Sequence, residues 1–180
     1  MLWLAVLLGA LALYLIVSYN NLVTLKQRVH NAWSQIDVQL KRRFDLIPNL
    51  VETVKGYASH EKEVFEKVTE ARSKVASAKG IDEEISAQNA LAVALRGLLA
   101  VAENYPELRA STNFVELQKE LSDTESKIAF SRQFYNDTVM KYMTAIQRFP
   151  SNIVASLFGF RPMAYFEAGD ESRGPTKVTF

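Results

Sequence analysis

The residues that could do chemistry in this chain are few. His60-Glu61 begins like H-E-x-x-H, in which two histidines one helical turn apart hold zinc and the glutamate acts as base, but Val64 stands where the second histidine is needed. His30 and His60 are the only histidines and cysteine is absent, so there is no thiolate nucleophile or disulfide, and a multi-histidine metal site is disfavoured. A lone histidine at a helix start is read as structural or solvated. No Gly-rich phosphate loop and no G-x-S-x-G elbow occurs. Carboxylates are numerous but lie where helix surfaces need charge. The reading is a protein that is not an enzyme and takes no metal or other cofactor. Lys+Arg 21 against Asp+Glu 20 leaves a net charge of +1, which gives no bulk attraction for nucleic acid.

One polar set carries more meaning. Glu125, Arg132 and Asn136 recur at spacings of seven and four beside an apolar stripe, and Asn31, Asp37, Asp45 and Asn49 do the same earlier in the chain. They are either a solvated rim or a partly buried network that fixes how helices align, with Asp37, Asp45, Asn49, Glu125, Arg132 and Asn136 as its members. Arg42 and Arg43 fall between the stripe positions and read as solvated surface.

These residues must be positioned by helices. From Phe114 to Phe149 the apolar positions Phe114, Leu117, Leu121, Ile128, Tyr135, Val139, Tyr142 and Ile146 step by threes, fours and sevens, the signature of one helical face. Pro150 ends it. The same period runs from Leu22 through Val29, Trp33, Ile36, Leu40, Ile47, Val51 and Val54, with Pro48 expected to kink or restart the helix. Gly56 reads as a stop and Ser59 as a new cap, with Glu61 and Glu63 in the first turn of a helix that ends at Gly80. Asp82 reads as the N-cap of a further helix bearing Ile85, Leu91, Leu95 and Leu98, and Tyr105-Pro106 turns the chain into the last one. No stretch alternates with a strand's period. The fold class is all-α: four helices of about 33, 20, 22 and 42 residues with short connections, packed up-down-up-down as an antiparallel bundle with long first and last members. If Tyr19 lies level with Pro150, facing residue numbers on those two helices add to about 169, which sets Asp37 opposite Arg132.

The two ends of the chain differ from its middle. Met1–Val17 is apolar apart from Gly9, and residues 1–19 together reach the length of a membrane span. No basic residue precedes the apolar run and no A-x-A-like site follows it, which disfavours a cleaved signal peptide. Lys26, Arg28, Lys41, Arg42 and Arg43 follow the span, so the positive-inside rule sets the N-terminus outside and the remainder in the cytoplasm. Residues 20–150 form the helical domain. Residues 151–166 form an apolar segment too short to span, which either packs against the bundle's own end or offers Ile153, Leu157, Phe158 and Phe160 to lipid or to a neighbouring subunit. Residues 167–180 read as a flexible tail.

The motifs Tyr19-Asn20-Asn21-Leu22-Val23, Asn31-Ala32-Trp33, Ile36-Asp37-Val38-Gln39-Leu40, Arg42-Arg43 and Asp45-Leu46-Ile47-Pro48-Asn49-Leu50-Val51 mark the first helix. Leu117-Gln118, Thr124-Glu125, Arg132, Tyr135-Asn136, Phe149-Pro150-Ser151-Asn152 and Phe158-Gly159-Phe160 mark the end of the chain. Together they resemble the bacterial LemA family from the anchor to about Met163. Met143 departs from the family's expected Asn and touches at most a local polar contact. The resemblance implies a single-pass anchor in the bacterial plasma membrane, an antiparallel four-helix domain and no established enzymatic activity. It also implies an association of family members with membrane proteases of the zinc type, and a relative in the magnetosome membrane. The leading functional reading is a membrane-anchored helical scaffold that forms a homo-oligomer or holds membrane partners. The alternatives are an adaptor or regulator of a membrane-associated protease and a lipid- or small-ligand-binding bundle.

Overall fold

The computed structural model describes residues 1–167, and no strand occurs among them. Of the expected flexible tail, residues 168–180 lie outside the described residues. Helix α1 runs unbroken over Leu2–Lys55, 54 residues that include both the apolar run and the first amphipathic stripe. The restart expected at Pro48 does not occur: proline's fixed φ suits a helix, and only one amide is lost in a long ladder. The chain leaves α1 at Gly56, as the glycine suggested, and the turn brings the Ala58 amide onto the Val54 carbonyl at 2.9 Å. Helix α2 spans Lys62–Ser77, α3 Ile81–Ala102, α4 Pro106–Arg109, α5 Thr112–Gln147 and α6 Ser151–Leu157.

Two helix starts differ from the sequence reading. Neither Ser59 nor Asp82 is an N-cap: α2 opens after Glu61 and α3 after Gly80, neither with a side-chain cap. Gly80 adopts φ 86°, a conformation open to glycine, which starts α3 early and moves Asp82 into its first turn. There Asp82, Glu83 and Glu84 face the positive end of the helix dipole. Glu83 reaches back to accept the Lys79 amide at 2.8 Å.

The residues group into two compact units, and α1 and α5 contribute to both. The first unit holds Met1–Asp37 and Phe130–Tyr165. Its interior joins Leu22, Val29, Ala32 and Ile36 of α1, Tyr135, Val139 and Tyr142 of α5, and Val154 and Ala155 of α6. Trp33 meets Tyr135 edge-on at 5.5 Å between ring centroids, while Tyr19 meets Phe158 at 4.8 Å, so here α1 and the α5–α6 limb run antiparallel.

The second unit comprises Val38–Ala129 and, among described residues, Phe166 and Glu167. One apolar core gathers Ile47, Leu50 and Val54 of α1, Phe65 and Val68 of α2, Leu91, Leu95 and Leu98 of α3, Leu108 of α4, and Phe114 and Leu121 of α5. The short α4 was not anticipated. Pro106 at its first turn withholds an amide that would have no partner anyway, and Leu108 is fully buried. Tail residue Glu167 is tied here, accepting a hydrogen bond from Asn89 Nδ2 at 3.1 Å.

Candidate functional site

Within the second unit the strongest polar feature is Arg43, with 3% of its surface exposed. Its Nη1 donates to Glu125 Oε1 at 2.9 Å. Its Nη2 donates to both oxygens of Gln88, the backbone one at 3.2 Å. One guanidinium therefore joins α1, α3 and α5. Its fork of fixed donors suits this task, whereas a lysine would offer one point charge. The reading of Arg43 as solvated surface is corrected; Arg42 is exposed.

The stripe itself held the missed signal. Between Leu40 and Ile47 the apolar positions skip one turn, and Arg43 fills the gap, three residues after one and four before the other. Gln88 likewise stands three residues from both Ile85 and Leu91, and is itself buried. Thr124 fills the gap between Leu121 and Ile128, buried, with its hydroxyl donating to the Glu120 carbonyl at 2.7 Å.

Of the polar residues singled out from sequence, Glu125 is brought onto Arg43 with 42% of its side chain exposed. Arg132 and Asn136 are half-buried on α5, whereas Asp37, Asp45 and Asn49 are exposed on α1. Asp37 and Arg132 remain a proposed pair. Because Asp37 is exposed, a double-mutant cycle between Asp37→Ala and Arg132→Leu should give a coupling below about 1 kcal/mol, read from urea unfolding. A larger coupling would show that the pair is shielded from water.

The histidine motif is taken up by structure. His60 is exposed in the turn before α2, and Glu61 accepts a hydrogen bond from the Tyr105 hydroxyl at 3.2 Å. Desolvation and then the bond to that carboxylate push the Tyr105 hydroxyl above its ordinary value. An open groove of about 710 Å³ lies beside these turns, lined by Lys55, Ser59, Lys62, Phe65, Glu66 and neighbours, with Lys55 Nζ 5.7 Å from the centre of the Phe65 ring.

Within the first unit the dominant surface is apolar. Every residue from Met1 to Tyr14 is exposed, as are Ile16 and Val17. Beside the end of this bare stretch stand Phe158 and Phe160, whose rings lie 4.8 and 5.8 Å from Tyr19. Gly159, between them, has φ 69° and closes α6: its own amide bonds to the Ser156 carbonyl and the Phe160 amide to that of Ala155 at 2.9 Å. This left-handed turn brings both phenylalanines to the same tyrosine. The residues that follow are held along α5, the Tyr142 hydroxyl donating to the Arg161 carbonyl at 2.8 Å and that of Tyr135 to Ala164 at 2.9 Å. Burial raises the Tyr142 hydroxyl above its ordinary value and keeps it a donor. Ile153 and Leu157 remain exposed.

A fold that is all-helical among the described residues, with a bare apolar helix at its start, defines the general class. The chain belongs to the LemA family, whose model matches residues 32–180. Magnetosome protein MamQ of Magnetospirillum gryphiswaldense is 27% identical over 185 residues, covering 87% of this chain and 68% of that one. Magnetosome protein MamQ 2 of Paramagnetospirillum magneticum is 26% identical with the same coverage. Protein LemA of Metamycoplasma hominis is 28% identical over 158 residues, covering 86% of this chain and 71% of its own length.

Proposed function

We propose that this LemA-family chain is a membrane-anchored, non-enzymatic helical scaffold that self-assembles or holds membrane partners. The observation that carries this reading is α1: a bare apolar segment continues without a break into the stripe of a folded helical core. A helix apolar all round has no stable place in water, so the exposed segment calls for a bilayer. The anchor crosses the bacterial plasma membrane once, with its N-terminus outside, and the remainder packs in the cytoplasm as an antiparallel four-helix arrangement. A continuous helix transmits position well, because it leaves no flexible linker between membrane and domain. Binding of lipid is intrinsic to this role, and a membrane protease is one partner such a scaffold could hold.

Two measurements test it. The chain should stay with membranes through a high-salt wash, since salt screens exposed charges but does not release an inserted helix. Native mass measurement after detergent extraction should then give a homo-oligomer. A monomer would remove self-assembly and leave the partner-holding role, while release by salt would remove the anchor.

A further inference from the structure

We propose that the segment from Phe149 to Phe160 is a second membrane contact, a rigid foot that rests in the headgroup region of the bilayer entered by α1. The inference rests on the reading of α1 as a span and adds a surface to it.

The face exists because α6 is apolar on two sides. Val154 and Ala155 are buried against the first unit, which accounts for one side. Ile153 and Leu157, one helical turn apart on the other side, are 57% and 70% exposed, and Phe149, in the turn that precedes α6, is 76% exposed. One side chain of this kind would be ordinary; three within nine residues, two of them a helical turn apart, form a surface that something covers.

Continuity identifies what covers it. Within the first unit Tyr19 touches Phe158, and Tyr19, itself exposed, lies just past the bare apolar stretch of α1, beyond the buried Ser18. The exposed apolar surface therefore passes from α1 across Tyr19 to the foot, and one occupant, lipid, meets both. Lengths agree. The run from Met1 to Val17 is about 26 Å long at 1.5 Å per residue, short of a hydrocarbon core of about 30 Å. That deficit draws Ser18 and Tyr19 to the boundary, where aromatic side chains are favoured, and Phe158 comes with them. Arg148 and Arg161, exposed on either side of the segment, are suited to headgroup phosphates.

The foot is also held in place. Besides the two tyrosine bonds, the Ser151 hydroxyl donates to the Ala145 carbonyl at 2.6 Å. A helix as short as α6 would not fold on a membrane by itself, and these bonds remove the ordering cost that it would otherwise meet on docking.

The sequence has no cysteine, so single cysteines introduced into it can be spin-labelled. Labels at Ile153→Cys and Leu157→Cys would be compared with Leu8→Cys in the span and Gln133→Cys on the exposed side of α5. The protein is placed in phosphatidylcholine–phosphatidylglycerol vesicles, and accessibility to oxygen and to a water-soluble nickel chelate is measured. The foot labels should favour oxygen several-fold over the values at Gln133→Cys, at a depth shallower than Leu8→Cys. Nickel access equal to that at Gln133→Cys, with Leu8→Cys in lipid, overturns the foot and leaves the anchor standing. Nickel access at Leu8→Cys overturns the span and the foot with it. Foot labels closed to both reagents are covered by protein and also overturn the lipid assignment; spin–spin broadening relieved by unlabelled chain would then identify a second copy.

Discussion

Glu125→Leu is expected to lower the stability of the helical domain by about 3 kcal/mol, far more than its half-exposed position suggests. The reason lies with its partner. Removing one member of a buried ion pair costs about 3–5 kcal/mol, because the other charge is left in a medium that cannot solvate it. Here Arg43 is almost wholly buried, and its Nε already has no hydrogen-bond partner among the described residues. Gln88 alone would then face the guanidinium. Glu125 itself retains contact with water, which lets some solvent reach the site and holds the expected cost to the lower end. The double variant Arg43→Met, Gln88→Leu removes the buried charge together with its neutral partner and should cost less than Glu125→Leu does. Urea unfolding followed by circular dichroism in detergent reads both, and the difference should appear as a changed midpoint at constant slope. If Glu125→Leu costs under about 1 kcal/mol, the pair behaves as a surface ion pair and Arg43 must be reached by water.

The same residues show how far a sequence of this kind can be read. Stripes made of leucine, isoleucine and valine located α1, α2, α3 and α5 within a few residues, because burying one apolar face is what chiefly stabilises such helices. The antiparallel register was legible as well: Trp33 meets Tyr135 and Arg43 meets Glu125, each within one residue of the alignment derived from helix rise alone. Arg43 was hidden because a charged residue at a stripe position is ordinarily rejected from a core, and only its partners on other helices make that position tolerable. Glu125 stands out beside its stripe and Gln88 fills a stripe position, but both are distant from Arg43 in sequence, so nothing local joins the three. Helix starts were the weakest part. Asp82 had a capping residue's chemistry, but Gly80 offered a backbone conformation that began the helix sooner. The apolar segment after Pro150 was legible from its residue types, and the structure adds which side of α6 is buried, Val154 and Ala155, and which is exposed, Ile153 and Leu157.

Leu98→Ala should produce the other large loss, about 2–5 kcal/mol, and it tests where α3 resides. By length and composition α3 could cross a membrane, as the start of α1 could. The structure distinguishes them: 39% of the apolar stretch in α3 is buried within the protein, against 6% in α1. Leu98 is fully buried in the core of the second unit, with Leu91 one heptad before it and equally enclosed. Truncation there removes packed methyl groups and leaves a cavity that the surrounding helices fill only in part. Were α3 instead set against lipid, the same change would exchange one apolar contact for another and cost under about 1 kcal/mol. Val93→Ala, at a 40% exposed position on the same helix, is the matching control and should stay within about 0.5 kcal/mol. For a domain of this size the Leu98→Ala loss corresponds to a fall in Tm of about 5–15 °C. Equal midpoints for the two variants would take α3 out of the core and require a second membrane crossing, which would carry the later helices to the other side of the bilayer.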